Sequence, residues 1–394
     1  MHSQSKIAII DATDQGSWEY VGGIPLVARN LFYVVKNGIK KIIIFAPRVQ
    51  RHVNLKRWAS DAEVKYAIED PLKDISQIGQ EILYIDSSFL FDQRIIDKVA
   101  NCKANSVFIK DQKSKKKLIL ALLNKEGINI WKKQGVNRLL ERSNKIYLTD
   151  IEPFSEEMRG EIPPYVIEVR NKEDAKKATW TLIKSMQKKV MDLPAEYLDP
   201  IFEDRITFIL CYTPVTPNMV TFFSLTIAVL IAFLFYSGHF LIAALCTYIV
   251  EVLDGVDGKL ARTKLEFSKF GEYECLVDYF YENLWYISIG LGLKNKSHYP
   301  PALILSAIMV LCDTLDNIVY TLSSKWFQKN FDLLSQFEKN FRKIAGRRNI
   351  YCFMFIIGFF LGYYIETFFA TTVWAAITCL VHIFRLLWHK RKLV

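Results

Sequence analysis

Four carboxylates stand where an apolar run ends. Residues Phe240 to Leu253 are mostly apolar and lead into Asp254-Gly-Val-Asp257-Gly-Lys-Leu-Ala-Arg262; after eight further residues comes Gly271-Glu-Tyr-Glu274-Cys-Leu-Val-Asp278. On a helix, Asp254, Asp257 and Ala261 (i, i+3, i+7) share one face, and Glu274, Asp278 and Glu282 (i, i+4, i+8) share a face of the next. A bare anion cluster in a low-dielectric setting takes up protons or binds cations. Oxygen ligands without His or Cys favour a hard ion, Mg²⁺ or Mn²⁺, and two ions can be bridged by carboxylates from both helices. Gly255, Gly258 and Ala261 leave the helix surface bare for a phosphate or a flat base, and Arg262 supplies a fork for a diphosphate. These parts suit phosphoryl transfer.

The segment resembles the signature of the CDP-alcohol phosphotransferase family, Asp-x2-Asp-Gly-x2-Ala-Arg-x8-Gly-x3-Asp-x3-Asp. Asp254, Asp257, Gly258, Ala261, Arg262 and Gly271 match it in type and spacing. A strict count from Gly271 places the last two aspartates at Cys275 and Tyr279; deleting one residue gives Glu274 and Asp278, which keep the i, i+4 relation and the acidic chemistry. The resemblance implies that Asp254, Asp257, Glu274 and Asp278 hold two Mg²⁺ or Mn²⁺ ions and that Asp278 deprotonates the acceptor. Gly258, Ala261, Arg262 and Gly271 then face the nucleotide.

The chain has 394 residues, enough for two domains, and its 51% hydrophobic content averages two unlike halves. Residues 1–200 have a soluble composition, and 219–388 carry repeated apolar runs. A net charge of +10 is explained by basic loops facing anionic lipid, and no nucleic-acid partner is expected. The seven cysteines are scattered, with no zinc spacing, as in a reducing compartment. No signal-peptide core precedes the strand-like Ile7–Ile10, so the amino-terminal half is expected in the cytoplasm.

Over residues 1–190, strand-like runs at Ile7–Ile10, Lys41–Phe45, Glu81–Ile85 and Ser106–Ile109 alternate with helix-like Leu26–Asn37 and Gln93–Asn101. That alternation predicts an α/β domain with a mainly parallel sheet. The run Val21-Gly-Gly-Ile-Pro-Leu26 looks like the start of a sugar-nucleotidyltransferase fold, in which Asp86 would stand at the Mg²⁺ position. Where that family has a glycine-rich phosphate loop, Asp11-Ala-Thr-Asp-Gln-Gly-Ser-Trp-Glu-Tyr20 has one glycine and three carboxylates, poor at cradling phosphate. The domain reads as nucleotidyltransferase-like and catalytically degenerate.

Asn171 is placed to cap a helix running to Lys189, either on the membrane surface or closing the first domain. Residues 191–218 form an interfacial linker. In Pro214-Val-Thr-Pro-Asn218-Met-Val-Thr221, Asn218 is placed to cap the next helix, and the resemblance puts Asn218 and Thr221 beside the nucleotide. Residues 219–394 are read as an all-α polytopic membrane domain of about six transmembrane helices, near 219–236, 239–254, 273–293, 300–322, 349–366 and 369–388. Basic residues cluster in alternate loops, which puts both termini and the acidic site on the cytoplasmic side. Asp313 and Asp316 either reach the acceptor side of the site or pair with loop cations. The stretch 323–348, basic with interleaved aromatics, is read as an amphipathic interfacial helix.

The functional expectation is an integral-membrane enzyme that moves a phosphoalcohol from a CDP-alcohol to an acceptor hydroxyl, on an alcohol or phosphoalcohol, and releases CMP. The resemblance adds a homodimer among membrane lipids. A membrane-anchored nucleotidyltransferase, or a non-catalytic scaffold, are the alternatives.

Overall fold

The computed structural model describes residues 6–46, 54–71, 81–110, 117–267 and 274–392, with the side chains of Glu274 and Cys275 also outside the description. The chain forms two compact units, one of residues 1–155 with 161–185 and the other of 156–160 with 186–394.

The first unit is built on a sheet. In chain order its first ten strands are β1 (Ile7–Asp11), β2 (Tyr20–Val21), β3 (Ile24–Pro25), β4 (Lys41–Phe45), β5 (Glu63–Ala67), β6 (Ile82–Asp86), β7 (Phe89–Phe91), β8 (Ser106–Ile109), β9 (Leu120–Leu123) and β10 (Asn144–Tyr147). Seven of them lie in the order β10-β8-β9-β6-β1-β4-β5, parallel except for β9, which runs against both neighbours. Its helices are α1 (Leu26–Lys36), α2 (Lys56–Ala59), α3 (Gln93–Ala100), α4 (Lys125–Arg142) and α5 (Lys172–Ser185). Every residue of β6, β8 and β9 is buried, as expected for strands covered on both faces.

The four strand-like runs read from the sequence fall on strands. Three further strands were not legible. Leu120-Ala-Leu-Leu123 is made of good helix formers, and burial beside β6 overrides that preference. Strands β5 and β10 lie at the two edges, where little apolar patterning is required. The Gly-Gly pair of the Val21–Leu26 run has a local cause: Gly22 and Gly23 both have positive φ and form the two-residue turn of the β2–β3 hairpin.

Asn171 caps α5, accepting from the amides of Glu173 and Asp174 at 3.0 Å each. Ala175, Ala178, Leu182 and Ile183 are buried, so α5 is a closing helix of the first unit.

The second unit is helical: α6 (Leu193–Tyr197), α7 (Asp199–Cys211), α8 (Pro217–Tyr236), α9 (Phe240–Lys264), α10 (Glu274–Lys296), α11 (Ala302–Phe327), α12 (Gln336–Arg342), α13 (Arg348–Phe360) and α14 (Tyr364–Arg391). Among the described residues, α8, α11 and α14 are long and apolar enough to cross a membrane. Helix α13 has 13 residues, a rise of about 20 Å against a hydrocarbon core of about 30 Å. It ends in a turn whose Gly362 has φ +82°, so the span read as 349–366 is cut short and Glu366 falls in the first turn of α14.

Thr216, not Asn218, caps α8; its hydroxyl accepts from the Met219 amide, and Pro217 takes the first helical position. The stretch 323–348 is not one interfacial helix. It holds the end of α11, the seven-residue α12 and irregular chain, with Phe331 buried among Val319 and Leu386. Aromatic burial against α11 and α14 outcompetes the lipid-facing arrangement.

Candidate active site

Helix α9 begins apolar and ends polar, so its first turns pack in the bundle core while its middle turns present Glu251, Asp254 and Asp257. Helix α10 presents Asp278 and Glu282. The structure brings them together. Asp254, Asp257 and Asp278 line one cavity of about 220 Å³, with Gly258 and Arg262 on the same wall. Asp254, Asp278 and Glu251 also line a second cavity of about 280 Å³, so these three carboxylates face both.

The expected site residues within the description fall as follows. Asp257 is buried, and the Thr221 hydroxyl donates to its Oδ2 at 2.6 Å. Thr221 therefore orients a carboxylate. Asn218 is exposed on the first turn of α8. Arg262 donates from Nη2 to the Met186 carbonyl at 3.2 Å and lies over Gly258, where an added Cβ would stand 3.5 Å from Nη1. Ala261 is half-buried on α9. Gly271 and the Glu274 side chain lie outside the described residues.

The residue that sequence reasoning missed is Arg348, at the start of α13. Its Nε lies 2.8 Å from Glu251 Oε2, and its Nη1 lies 3.1 Å from Glu282 Oε1 and 3.6 Å from Asp278 Oδ2. Nη2 pairs with Asp254, and Nη1 also donates to the Tyr281 hydroxyl. In the sequence Arg348 is one of seven basic residues in a loop. Its one distinguishing mark is position, directly before an apolar helix.

A second charged layer lies on α7. Lys259 is buried, with Nζ 2.8 Å from Glu203 Oε2 and 2.5 Å from Asp204 Oδ1. Asp199 is buried nearby; burial, reinforced by the charges of Glu203 and Asp192, pushes its carboxyl up to about 7. Burial likewise raises the Glu203 carboxyl, against the pull of Lys259. These contacts pack residues of the 191–218 segment onto α9.

Asp313 and Asp316 line the larger cavity. Asp313 accepts from Asn283 Nδ2 at 2.8 Å, while Asp316 pairs with buried His382 and lies 4.0 Å from Arg347.

The donor set suits a hard divalent ion: Asp254, Asp257 and Asp278 offer only oxygen and meet at one cavity. Among the described residues no group of three or more His, Cys, Asp or Glu is already gathered as a metal cluster.

In the first unit, Asp11 and Asp86 end adjacent parallel strands in register. Asp86 is buried, which raises its carboxyl, and Lys117 Nζ lies 2.7 Å from Asp86 Oδ2 and 2.7 Å from Asp14 Oδ2. An ammonium therefore stands against the carboxylate expected at the Mg²⁺ position.

Residues 214–384 match the family model described as CDP-alcohol phosphatidyltransferase. No curated protein matches the chain. Among solved structures, the phosphatidylinositol phosphate synthase of Mycobacterium tuberculosis with CDP-DAG bound is 17% identical over 47% of this chain and 94% of its own, with a TM-score of 0.39. A glucose-1-phosphate thymidylyltransferase from Bacillus anthracis is 12% identical over 44% of this chain and 94% of its own, with a TM-score of 0.33.

Proposed function

Taking as premise that residues 214–384 are a CDP-alcohol phosphatidyltransferase domain, a transferase of phosphate-containing groups, we propose that the protein moves a phosphoalcohol from a CDP-alcohol to an acceptor hydroxyl in a membrane, with release of CMP. The observation that carries this is the meeting of Asp254, Asp257 and Asp278 at one cavity whose wall includes Gly258 and Arg262.

Asp254, Asp257, Glu274 and Asp278 would hold Mg²⁺ or Mn²⁺, two ions in all, whose charge stabilises the diphosphate as it divides. Arg262 has a guanidinium beside bare Gly258 and supplies a fork for the same diphosphate. Asp278 faces both cavities, which suits it to take the proton of the acceptor hydroxyl. The acceptor oxygen then bonds to the β-phosphorus, the bond from that phosphorus to the oxygen of CMP breaks, and CMP leaves. Thr221 fixes the Asp257 carboxylate in this arrangement.

The larger cavity is the acceptor's place in this reading. Arg159, Lys188, Arg342 and Arg347 line it together with carboxylates such as Asp313 and Asp316, so it offers an acceptor both donors and acceptors of hydrogen bonds. Helices α8, α9, α10, α11 and α14 are taken as spans and the 13-residue α13 as a shorter sixth that needs a locally thinned bilayer, with the site and both termini cytoplasmic by the distribution of loop cations. The first unit is taken as nucleotidyltransferase-like without transferase activity.

The test is release of CMP by the full chain in detergent or liposomes, with Mg²⁺ or Mn²⁺, from CDP-diacylglycerol or CDP-inositol against a panel of alcohol and phosphoalcohol acceptors. Turnover that Asp257→Asn abolishes is expected. No CMP from any pair, or full activity in Asp257→Asn, overturns the reading.

A further inference from the structure

The acidic site already contains a cation, the guanidinium of Arg348. It is 11% exposed at the side chain and meets four carboxylates, Glu251, Asp254, Asp278 and Glu282, with the Tyr281 ring 5.6 Å from its Cζ. Two of these carboxylates, Asp254 and Asp278, belong to the set that would hold divalent ions. The other two, Glu251 and Glu282, do not. A guanidinium fork can keep the second pair while giving up the first, because its nitrogens point in different directions.

We propose that Arg348 is a resident counter-ion that competes with divalent metal for Asp254 and Asp278 and withdraws onto Glu251 and Glu282 when metal binds. The inference rests on the functional reading above only for the identity of the competing ion. One positive charge cannot neutralise four carboxylates, so the cluster keeps an attraction for cations while Arg348 is present. Arg348 therefore weakens metal binding without abolishing it, and it offsets the mutual repulsion of the carboxylates in the metal-free protein. In this reading Glu251 and Glu282 are the anchors that hold the arginine in reserve.

The experiment measures Mn²⁺ binding to the detergent-solubilised full chain by electron paramagnetic resonance, without substrate. Arg348→Gln removes the competing charge and is expected to bind Mn²⁺ about tenfold more tightly or better. Arg348→Lys keeps the charge but cannot bridge both pairs, and an intermediate affinity is expected. It also serves if the Gln variant fails to fold. A well-folded Arg348→Gln or Arg348→Lys that binds Mn²⁺ no more tightly than the unmodified chain overturns the inference, as does absence of Mn²⁺ binding in all three proteins. Tighter binding in the variants with no CMP release by the unmodified chain supports the counter-ion and overturns the function. CMP release with unchanged Mn²⁺ affinity does the reverse.

Discussion

The hydroxyl of Thr221, on the first turn of α8, donates a 2.6 Å hydrogen bond to Oδ2 of Asp257 on α9. The single hydroxyl proton has a second possible acceptor in the Pro217 carbonyl at 3.2 Å, and the shorter contact is the one to the carboxylate. Replacing it removes one charge-assisted bond, worth about 1.5–3 kcal/mol. Thr221→Val is expected to lower CMP release about tenfold or more and to weaken Mn²⁺ binding, whereas Thr221→Ser keeps most of both. Equal activity in Thr221→Val and the unmodified chain would show that Asp257 needs no such partner.

Two glycines of one motif separate structure from function. A Cβ on Gly255 would stand 1.8 Å from Glu203 Oε1, a carboxylate that buried Lys259 holds in place. Gly255→Ala is expected to destabilise the protein by about 1–3 kcal/mol, seen as a lower unfolding temperature in detergent. At Gly258 the nearest atom to an added Cβ is 3.5 Å away, an ordinary contact. Gly258→Ala should fold normally yet raise the KM for the CDP-alcohol if the space is the ligand's, as proposed above.

Lys259 carries the second charged layer. Lys259→Met leaves buried Glu203 and half-buried Asp204 without their cation, a loss expected to cost about 3–5 kcal/mol. Thermal unfolding should show it, and adding Glu203→Gln should recover part of the loss. An unchanged unfolding temperature in the single variant would mean that the pair contributes nothing.

The pH response of Asp199 has a definite sign. Its carboxyl titrates at about 7 in the folded chain against an ordinary 3.8, so the folded state holds a proton that the unfolded state has lost across that window. Stability from this group falls as pH rises from about 4 to about 7 and is level above it. The groups around it are Glu203, Asp192, Tyr248 and Lys259. Asp199→Asn should remove this slope and gain most over the unmodified chain near pH 8, measured as the difference between the two unfolding curves. A difference that does not change between pH 4 and 8 would contradict the assignment.

In the first unit, the contacts of Lys117 with Asp86 and Asp14 put an ammonium at the end of β6, and the chain after β1 offers few glycine amides to phosphate. The full chain given CTP and a sugar or polyol phosphate is expected to release no pyrophosphate. Release that survives Asp257→Asn would assign the first unit an activity of its own.

The acidic motif was legible because its chemistry is local: spacing on a helix fixes which carboxylates share a face, and all of Asp254, Asp257 and Asp278 reach the cavity. The alternation of strands and helices in the first unit was legible for the same reason, since burial on both faces demands continuous apolar runs such as Ile7–Ile10. Edge strands β5 and β10 carry no such demand, and β9 contradicts its own propensity.

What the sequence by itself determined is therefore the inventory: a helix ending in carboxylates, an apolar second half, and a first half able to form a mainly parallel sheet. Only the tertiary structure decided the company these residues keep. Arg348 is 70 positions from Asp278 in the chain, and no periodicity relates them; packing of α9, α10 and α13 puts its guanidinium among their carboxylates. Charges find partners through space, and burial decides which partner is affordable once water has been excluded.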